Sequence, residues 1–260
     1  MKNSELAGRI HSLETLGAND GPGLRTVIFL QGCPLRCRYC HNPDSWPCSG
    51  GQQATVSELV SKVLRLKPYF GDHGGVTLSG GEPLQQLEFT AAVLAAMKDA
   101  DIDTALDTSG WLPDADLADN AARNLLTEIF GNTDLVLLDI KNPDPGRFQW
   151  LTGRPIFHLH SFLDYCEMLA RQVWIRQVIV PGWNDQVKDL QALTDFLERW
   201  PQLPVSRIQL LPYHTWGADK WHKLGYLYPF EGTQPMDNND LSSLQRFIDQ
   251  RLAHRLPGLA

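Results

Sequence analysis

One pattern recurs along the chain and restricts the folds open to it. A short apolar run rich in β-formers ends in small or polar residues, and a helical stretch follows. Six runs qualify: Thr26–Gln31 (TVIFLQ), Gly75–Ser79 (GVTLS), Thr104–Thr108 (TALDT), Leu135–Lys141 (LVLLDIK), Val173–Val180 (VWIRQVIV) and Arg207–Pro212 (RIQLLP). Four are nearly continuous apolar stretches, as expected of strands covered on both faces of a parallel sheet. Between the runs, Val56, Leu59, Val60, Val63 and Leu64 form one helical stripe. Phe89, Val93, Leu94 and Met97 form a second, and Leu190, Leu193, Phe196 and Leu197 a third. The repeat of about 30–50 residues suits βαβ units, which need about 30 or more. Six units are too few for a closed eight-stranded barrel. The expected fold is therefore α/β, a curved and partly open barrel of parallel strands over about 25–215. A short extension, 1–24, precedes it, and a C-terminal segment with a helix over Leu241–Leu252 occupies about 216–260. All 260 residues are expected to form a single domain, a size near the upper limit for one core.

Composition excludes little but excludes it clearly. Apolar residues are 43%, charged residues 20% and the net charge −7, values of a soluble globular protein. No clustered basic face marks a nucleic-acid partner. No apolar run approaches the roughly 20 residues of a membrane span. The opening residues MKNSELAGRIHSLE lack the apolar core of a signal peptide, so a cytoplasmic location is expected. There, the five cysteines at 33, 37, 40, 48 and 166 point to metal or redox chemistry rather than to a disulfide framework.

Chemistry-bearing residues gather where the runs end, the rim on which barrel folds place their sites. The first run leads into GCPLRCRYCHN (32–42). The others end in SGGEP (79–83), DTSG (107–110), DIK (139–141), VPG (180–182) and PYH (212–214), and the fifth carries Arg176. Cys33, Cys37 and Cys40 form C-x3-C-x2-C. Three thiolates suit zinc or an iron–sulfur cluster. Structural zinc sites usually add a second cysteine pair downstream, which this chain lacks, although His41 could complete a zinc set. A [4Fe–4S] cluster on three cysteines would instead keep one iron open to a ligand.

With that loop after the first strand, the sequence resembles the radical S-adenosylmethionine (SAM) enzymes. GRIHSLET (8–15), NDGPGLRTVIFLQGCPLRCRYCHNPDSW (19–46), SGGEPL (79–84), LDTSG (106–110), LVLLDIK (135–141), VWIRQVIVPGWND (173–185) and LLPYHTWGADKW (210–221) extend the resemblance. In order and over nearly the whole chain, they resemble the activating enzymes of glycyl radical enzymes. Many of those carry a ferredoxin-like insertion between the cysteine motif and GGE. Here the interval Asn42–Gly80 holds only Cys48, like the insertion-free form that serves pyruvate formate-lyase. The resemblance implies a partial (β/α)6 radical SAM barrel, laterally open. It implies one [4Fe–4S] cluster on Cys33, Cys37 and Cys40, with SAM chelating the fourth iron. It further implies one electron from a flavodoxin or ferredoxin, and hydrogen abstraction from a specific glycine of pyruvate formate-lyase by a 5′-deoxyadenosyl radical. Activation of a different glycyl radical enzyme, or a radical SAM reaction on a small molecule, is the alternative. A monomer is implied, since partner docking needs an open face.

The same resemblance implies roles residue by residue, each beside a plainer reading. SAM contacts fall on Tyr39, Cys40, His41, Gly80, Gly81, Glu82, Asp139, Ile140, Lys141, Arg176 and His214. Tyr39 could equally only pack its loop. Gly80 and Gly81 alone would be a turn, which Glu82 would order. A monovalent cation, Na+ or K+, is implied at Asp107, Thr108, the Leu137 carbonyl and Asp139, although the acidic residues could simply cap helices. The family often has Met where this chain has Leu137. Lys141 is expected to pair with the SAM carboxylate, and His214 to bond its ribose or carboxylate. A buried Arg176 needs a partner, and together with Asp20 it is implied in positioning substrate. Cys48 and Cys166 are expected to be inert.

Overall fold

The structure is a computed structural model that describes residues 4–112 and 120–255. The chain divides into two compact units, Met1–Pro34 with Ser45–Leu137, and Leu35–Asp44 with Leu138–Ala260. Strand order is β3-β1-β2-β4-β5-β6-β7-β8, and the mostly parallel sheet is not closed into a barrel, consistent with a partial barrel.

The first unit contains β1 (Ala7–Gly17), β2 (Arg25–Leu30), β3 (Gln52–Thr55), α1 (Val56–Leu64), β4 (Gly75–Gly80), α2 (Leu87–Asp99), β5 (Asp103–Thr108) and α3 (Asn120–Gly131). The start of β6 (Leu135–Asp139) also belongs to it. β2, β4 and β5 run parallel in continuous register, Arg25 opposite Gly75 and Gly75 opposite Asp103. Their near-complete burial explains why their sequences lack alternation. Arg25 opens β2 with its side chain fully buried. Its guanidinium donates to Thr77 Oγ1, the Val76 carbonyl and Asp103 Oδ1, each at 2.8 Å, which ties three strands together. Thr55 and Glu58 form a reciprocal capping box that starts α1.

Two strands lie outside the six runs. β1 is antiparallel to both β2 and β3. It falls within the stretch expected as an extension. Half-exposed, with Ile10 its one buried large apolar residue, it offers none of the continuous apolar signal of the buried strands. β3, the polar QQAT, is four residues long.

The second unit contains the end of β6, then α4 (Pro145–Thr152), α5 (Phe157–Met168), β7 (Val173–Ile179), α6 (Val187–Leu197), β8 (Val205–Pro212), α7 (Ala218–Lys223) and α8 (Asn238–Arg251). β7 and β8 are parallel. The expected last helix is α8. It begins three residues earlier than periodicity suggested because Asp237 caps it, accepting from the amides of Asn239 and Asp240. Arg251 fastens it to Thr194 and Asp195 of α6.

Candidate functional site

In the first unit, the end of β2 and the end of β4 are laced together. The Gly81 amide donates to the Leu30 carbonyl at 2.8 Å, and the Glu82 amide to the Gly32 carbonyl at 2.9 Å. Gly80 has φ +111°, a conformation suited to glycine, and a Cβ there would stand 2.3 Å from the Leu30 nitrogen. A Cβ on Gly81 would stand 2.2 Å from the Gly32 carbonyl oxygen. The two glycines thus let GGE lie against the strand that leads to Cys33. The Cys33 amide donates to the Trp46 carbonyl at 3.1 Å. Glu82 is buried and accepts four hydrogen bonds: Thr108 Oγ1 (2.6 Å), Ser109 Oγ (2.6 Å), the Ser109 amide (3.0 Å) and the Leu84 amide (3.2 Å). Burial outweighs these neutral donors and raises its pKa. Asp107 Oδ2 accepts from Ser79 Oγ at 2.6 Å. Thr108 donates to Glu82 and accepts from the Gly110 amide, which leaves one lone pair on its oxygen. Leu137 is buried in β6.

In the second unit, residues 35–44 form a loop held by α4 on one side and α7 on another. The Arg36 and Arg38 amides donate to the Thr152 and Leu151 carbonyls, and the Cys40 amide to the Cys37 carbonyl at 2.9 Å. Trp221 Nε1 donates to the Cys40 carbonyl at 2.8 Å, and Lys220 Nζ to Asn42 Oδ1 at 2.7 Å. Gly217 admits this approach, since a Cβ there would be 2.8 Å from the Cys40 oxygen. Cys37 is buried, and burial pushes its thiol up to about 12.

Beside this loop stands an ion cluster in which Arg176 is buried and Asp139 and Lys141 are half-buried. Asp139 Oδ2 pairs with Lys141 Nζ at 2.8 Å and Asp139 Oδ1 with Arg176 Nε at 3.2 Å. Burial alone would raise the Asp139 pKa; the two cations overcome it and hold the group at about 2. Burial likewise opposes the Lys141 charge, but Asp139 raises its pKa well above the ordinary value. Lys141 Nζ lies 5.9 Å from the centre of the Tyr39 ring. The Ile140 amide donates to the Arg176 carbonyl at 2.9 Å. His41 and His214 stack at 3.8 Å, and burial, then His214, lowers the His41 pKa to about 4.

Asp20 is placed differently. Its carbonyl accepts from Thr77 Oγ1 at 2.7 Å, part-way along β4 and three residues before Gly80, roughly 10 Å at 3.3 Å per residue. Cys166 is buried in α5 and Cys48 is exposed. Among the described residues, no group of three or more His, Cys, Asp or Glu stands ready to hold a single metal ion, and no helix is long and apolar enough to cross a membrane. Four supporting residues had no role assigned from sequence: Ser79, Ser109, Lys220 and Trp221. Ser79 and Ser109 sit inside or beside quoted strand ends, so position could have found them. Lys220 and Trp221 lie on a six-residue helix too short for periodicity to reveal.

The model of the radical SAM superfamily matches residues 27–196, from β2 to α6. Over 246 residues the chain is 42% identical to the pyruvate formate-lyase-activating enzyme of Clostridium pasteurianum, covering 94% of this chain and 98% of that one. The chain belongs to the radical SAM superfamily and, within it, to the pyruvate formate-lyase-activating enzyme family. It is 41% identical to the enzyme of that name from Staphylococcus aureus (strain USA300) over 247 residues, covering 94% of this chain and 96% of the other. In fold it is similar to a crystallised domain of pyruvate-formate lyase-activating enzyme from Bacteroides vulgatus, with TM-score 0.52 and 24% identity over 68% of this chain and 94% of that domain.

Membership in the radical SAM family implies SAM and a [4Fe–4S] cluster, and the donor set here fits them. Tyr39 Oη, His41 Nε2 and His214 Nδ1 are buried and have no hydrogen-bond partner among the described residues. Buried polar atoms are normally paired, so three orphans around one cysteine loop suit a polar ligand. Cationic Lys141 and Arg176 suit a carboxylate, and three soft thiols suit iron–sulfur.

Proposed function

We propose that this enzyme holds the cluster through Cys33, Cys37 and Cys40 and uses SAM to take a hydrogen atom from a specific glycine of pyruvate formate-lyase. The observation that supports it best is the set of orphaned polar atoms on Tyr39, His41 and His214 around the loop of Cys37 and Cys40. When bound, the reduced cluster and SAM supply reductive cleavage of SAM and, from it, hydrogen abstraction. The chain's own work is binding, orientation and exclusion of water. Lys141 and Arg176, oriented by Asp139, receive the SAM carboxylate. Gly80 and Gly81 expose backbone to its amino group, with Glu82 fixing the turn through Thr108 and Ser109. Tyr39, His41, the Ile140 backbone and His214 take up the nucleoside. Asp107, the remaining lone pair of Thr108, the Leu137 carbonyl and Asp139 supply hard oxygens for Na+ or K+. Arg176 and Asp20 position the incoming glycine loop, and a flavodoxin or ferredoxin donates the electron.

The test is anaerobic reconstitution with iron and sulfide, followed by reduction with SAM and pyruvate formate-lyase. A SAM-dependent glycyl doublet in the EPR spectrum of pyruvate formate-lyase is expected. A doublet on another glycyl radical enzyme alone would reassign the partner, and 5′-deoxyadenosine without any doublet would favour a small-molecule substrate.

A further inference from the structure

We infer that Trp221 and Lys220 are positioning residues of the SAM site. From α7 they fix the loop over 39–42, so that Tyr39 and His41 stand ready before SAM arrives. This rests on the cluster-and-SAM reading above. Within LLPYHTWGADKW (210–221), His214 carries one of the orphaned ring nitrogens, and the residues after it grip the loop.

The grip is taken residue by residue, all within the second unit. Trp221 Nε1 donates to the Cys40 carbonyl at 2.8 Å. Lys220 Nζ donates to Asn42 Oδ1 at 2.7 Å and lies 3.5 Å from Asp44 Oδ1. Further along, the Phe230 ring stands 6.4 Å from the Tyr39 ring. The loop is therefore held at 39, 40 and 42, and His41 falls between the holds. Its ring stacks on His214 at 3.8 Å, and His214 in turn lies 4.2 Å from Trp216. A Cβ on Gly217 would stand 2.8 Å from the His41 Cα, so this close seating needs glycine there.

The clamp is itself anchored. Trp221 is buried, edge-on to Tyr226 at 6.1 Å and to Tyr228 at 5.6 Å. The Tyr226 amide donates to the Trp221 carbonyl at 2.9 Å. The hydroxyls of Tyr228 and Tyr213 bond each other at 2.9 Å, and the Tyr213 amide donates to the Ile179 carbonyl at the end of β7 at 3.0 Å. The indole is thus fixed to the sheet and offers the loop a single donor. Lys220 is half-buried, and its flexible stem gives a weaker hold.

Packing and positioning can be told apart here. The packing of α7 rests on the Trp221 ring, whereas its N–H points at the ligand loop. Tyr39 and His41 keep buried polar atoms that have no partner among the described residues, an arrangement that a bound ligand completes. Holding them in place beforehand spares the ligand the cost of ordering the loop. Groups that orient a site's contacts from behind are worth about 10–100-fold.

The test compares W221F, which keeps a ring and loses the donor, with K220M and the conservative K220R. Calorimetry gives the SAM dissociation constant of each reconstituted protein. Amide exchange followed by mass spectrometry reads the loop in the cluster-free protein. W221F should bind SAM about tenfold more weakly, K220M should lose less, and K220R should stay close to wild type. In cluster-free W221F the amides of 39–42 should exchange several-fold faster, with β7 and β8 unchanged. Wild-type SAM affinity in W221F would overturn the inference. Exchange that rises equally in β7 and β8 would overturn it too and make Trp221 a packing residue only. Failure of wild type to assemble a cluster would instead sink the iron–sulfur reading, and the exchange comparison, made without the cluster, would still decide whether α7 holds the loop.

Discussion

Two carboxylates, the buried Glu82 in the first unit and the half-buried Asp139 in the second, show how differently the same group can be used. Glu82 meets only neutral donors, all from Thr108, Ser109 and Leu84. Asp139 meets two cations, Lys141 and Arg176. Burial therefore wins at Glu82 and its pKa rises, whereas charge wins at Asp139 and its pKa falls to about 2. Around Glu82 every named donor is satisfied, as in a finished piece of scaffold. Around the second unit's cysteine loop, Tyr39, His41 and His214 keep buried polar atoms without partners among the described residues. Closed networks hold a site in place, and open ones await a ligand.

The largest effect should come from the thiols. Substitution C33A, C37A or C40A should abolish the cluster's visible absorbance after reconstitution, while C48A and C166A should retain it. A stable cluster in C37A would put the open network to some other use.

Next comes the ion cluster. D139N leaves two cations facing a neutral amide and should cost about 3–5 kcal/mol of stability, the range for breaking a buried pair, read by denaturant unfolding of the cluster-free protein. The pH signs are opposite for the two acids. Asp139, with its pKa depressed, contributes stability that is present above its unfolded value of 3.8 and is lost as pH falls towards about 2. Glu82, with its pKa raised, favours the proton, so its contribution is lost as pH rises through its folded value. D139N should therefore flatten the acid limb of the stability curve, and an unchanged limb would contradict the pairing.

A smaller effect is expected of E82Q. An amide in place of the acceptor carboxylate opposes the Ser109 donors and should cost about 1–3 kcal/mol, with little change in SAM affinity once the protein is folded. A large loss of SAM affinity without loss of stability would make Glu82 a binding residue rather than scaffold.

The smallest stability change belongs to H214A. Loss of its stack on His41 should cost about 0.5–1.5 kcal/mol, while SAM binding measured calorimetrically should weaken. Equal SAM affinity in H214A would remove His214 from the open network.

How much of this was legible in the sequence follows from the same contrast. The six repeating strands announced themselves, four of them as nearly continuous apolar runs. β1 and β3 did not, because β1 is half-exposed and β3 is a polar strand of four residues. The ends of those six strands marked Gly80, Glu82, Asp107, Asp139, Lys141 and His214 as candidates. Which partner each would take was not legible. Thr108 read as a cation ligand, yet its hydroxyl proton goes to Glu82. Arg176 read as needing a partner, and Asp139, a strand away, is one. Such pairings depend on register, and one-residue shifts reverse a strand's faces. The grip of Trp221 on Cys40 joins residues 181 apart in the chain, beyond any local pattern.

If Cys33, Cys37 and Cys40 alone hold the cluster, one iron is left for SAM. Mössbauer spectroscopy of the reconstituted protein, recorded with and without SAM, tests it most directly. One iron site should change when SAM is added, in wild type and C48A alike. Iron sites indifferent to SAM, or a cluster that becomes responsive only when Cys48 is removed, would contradict it.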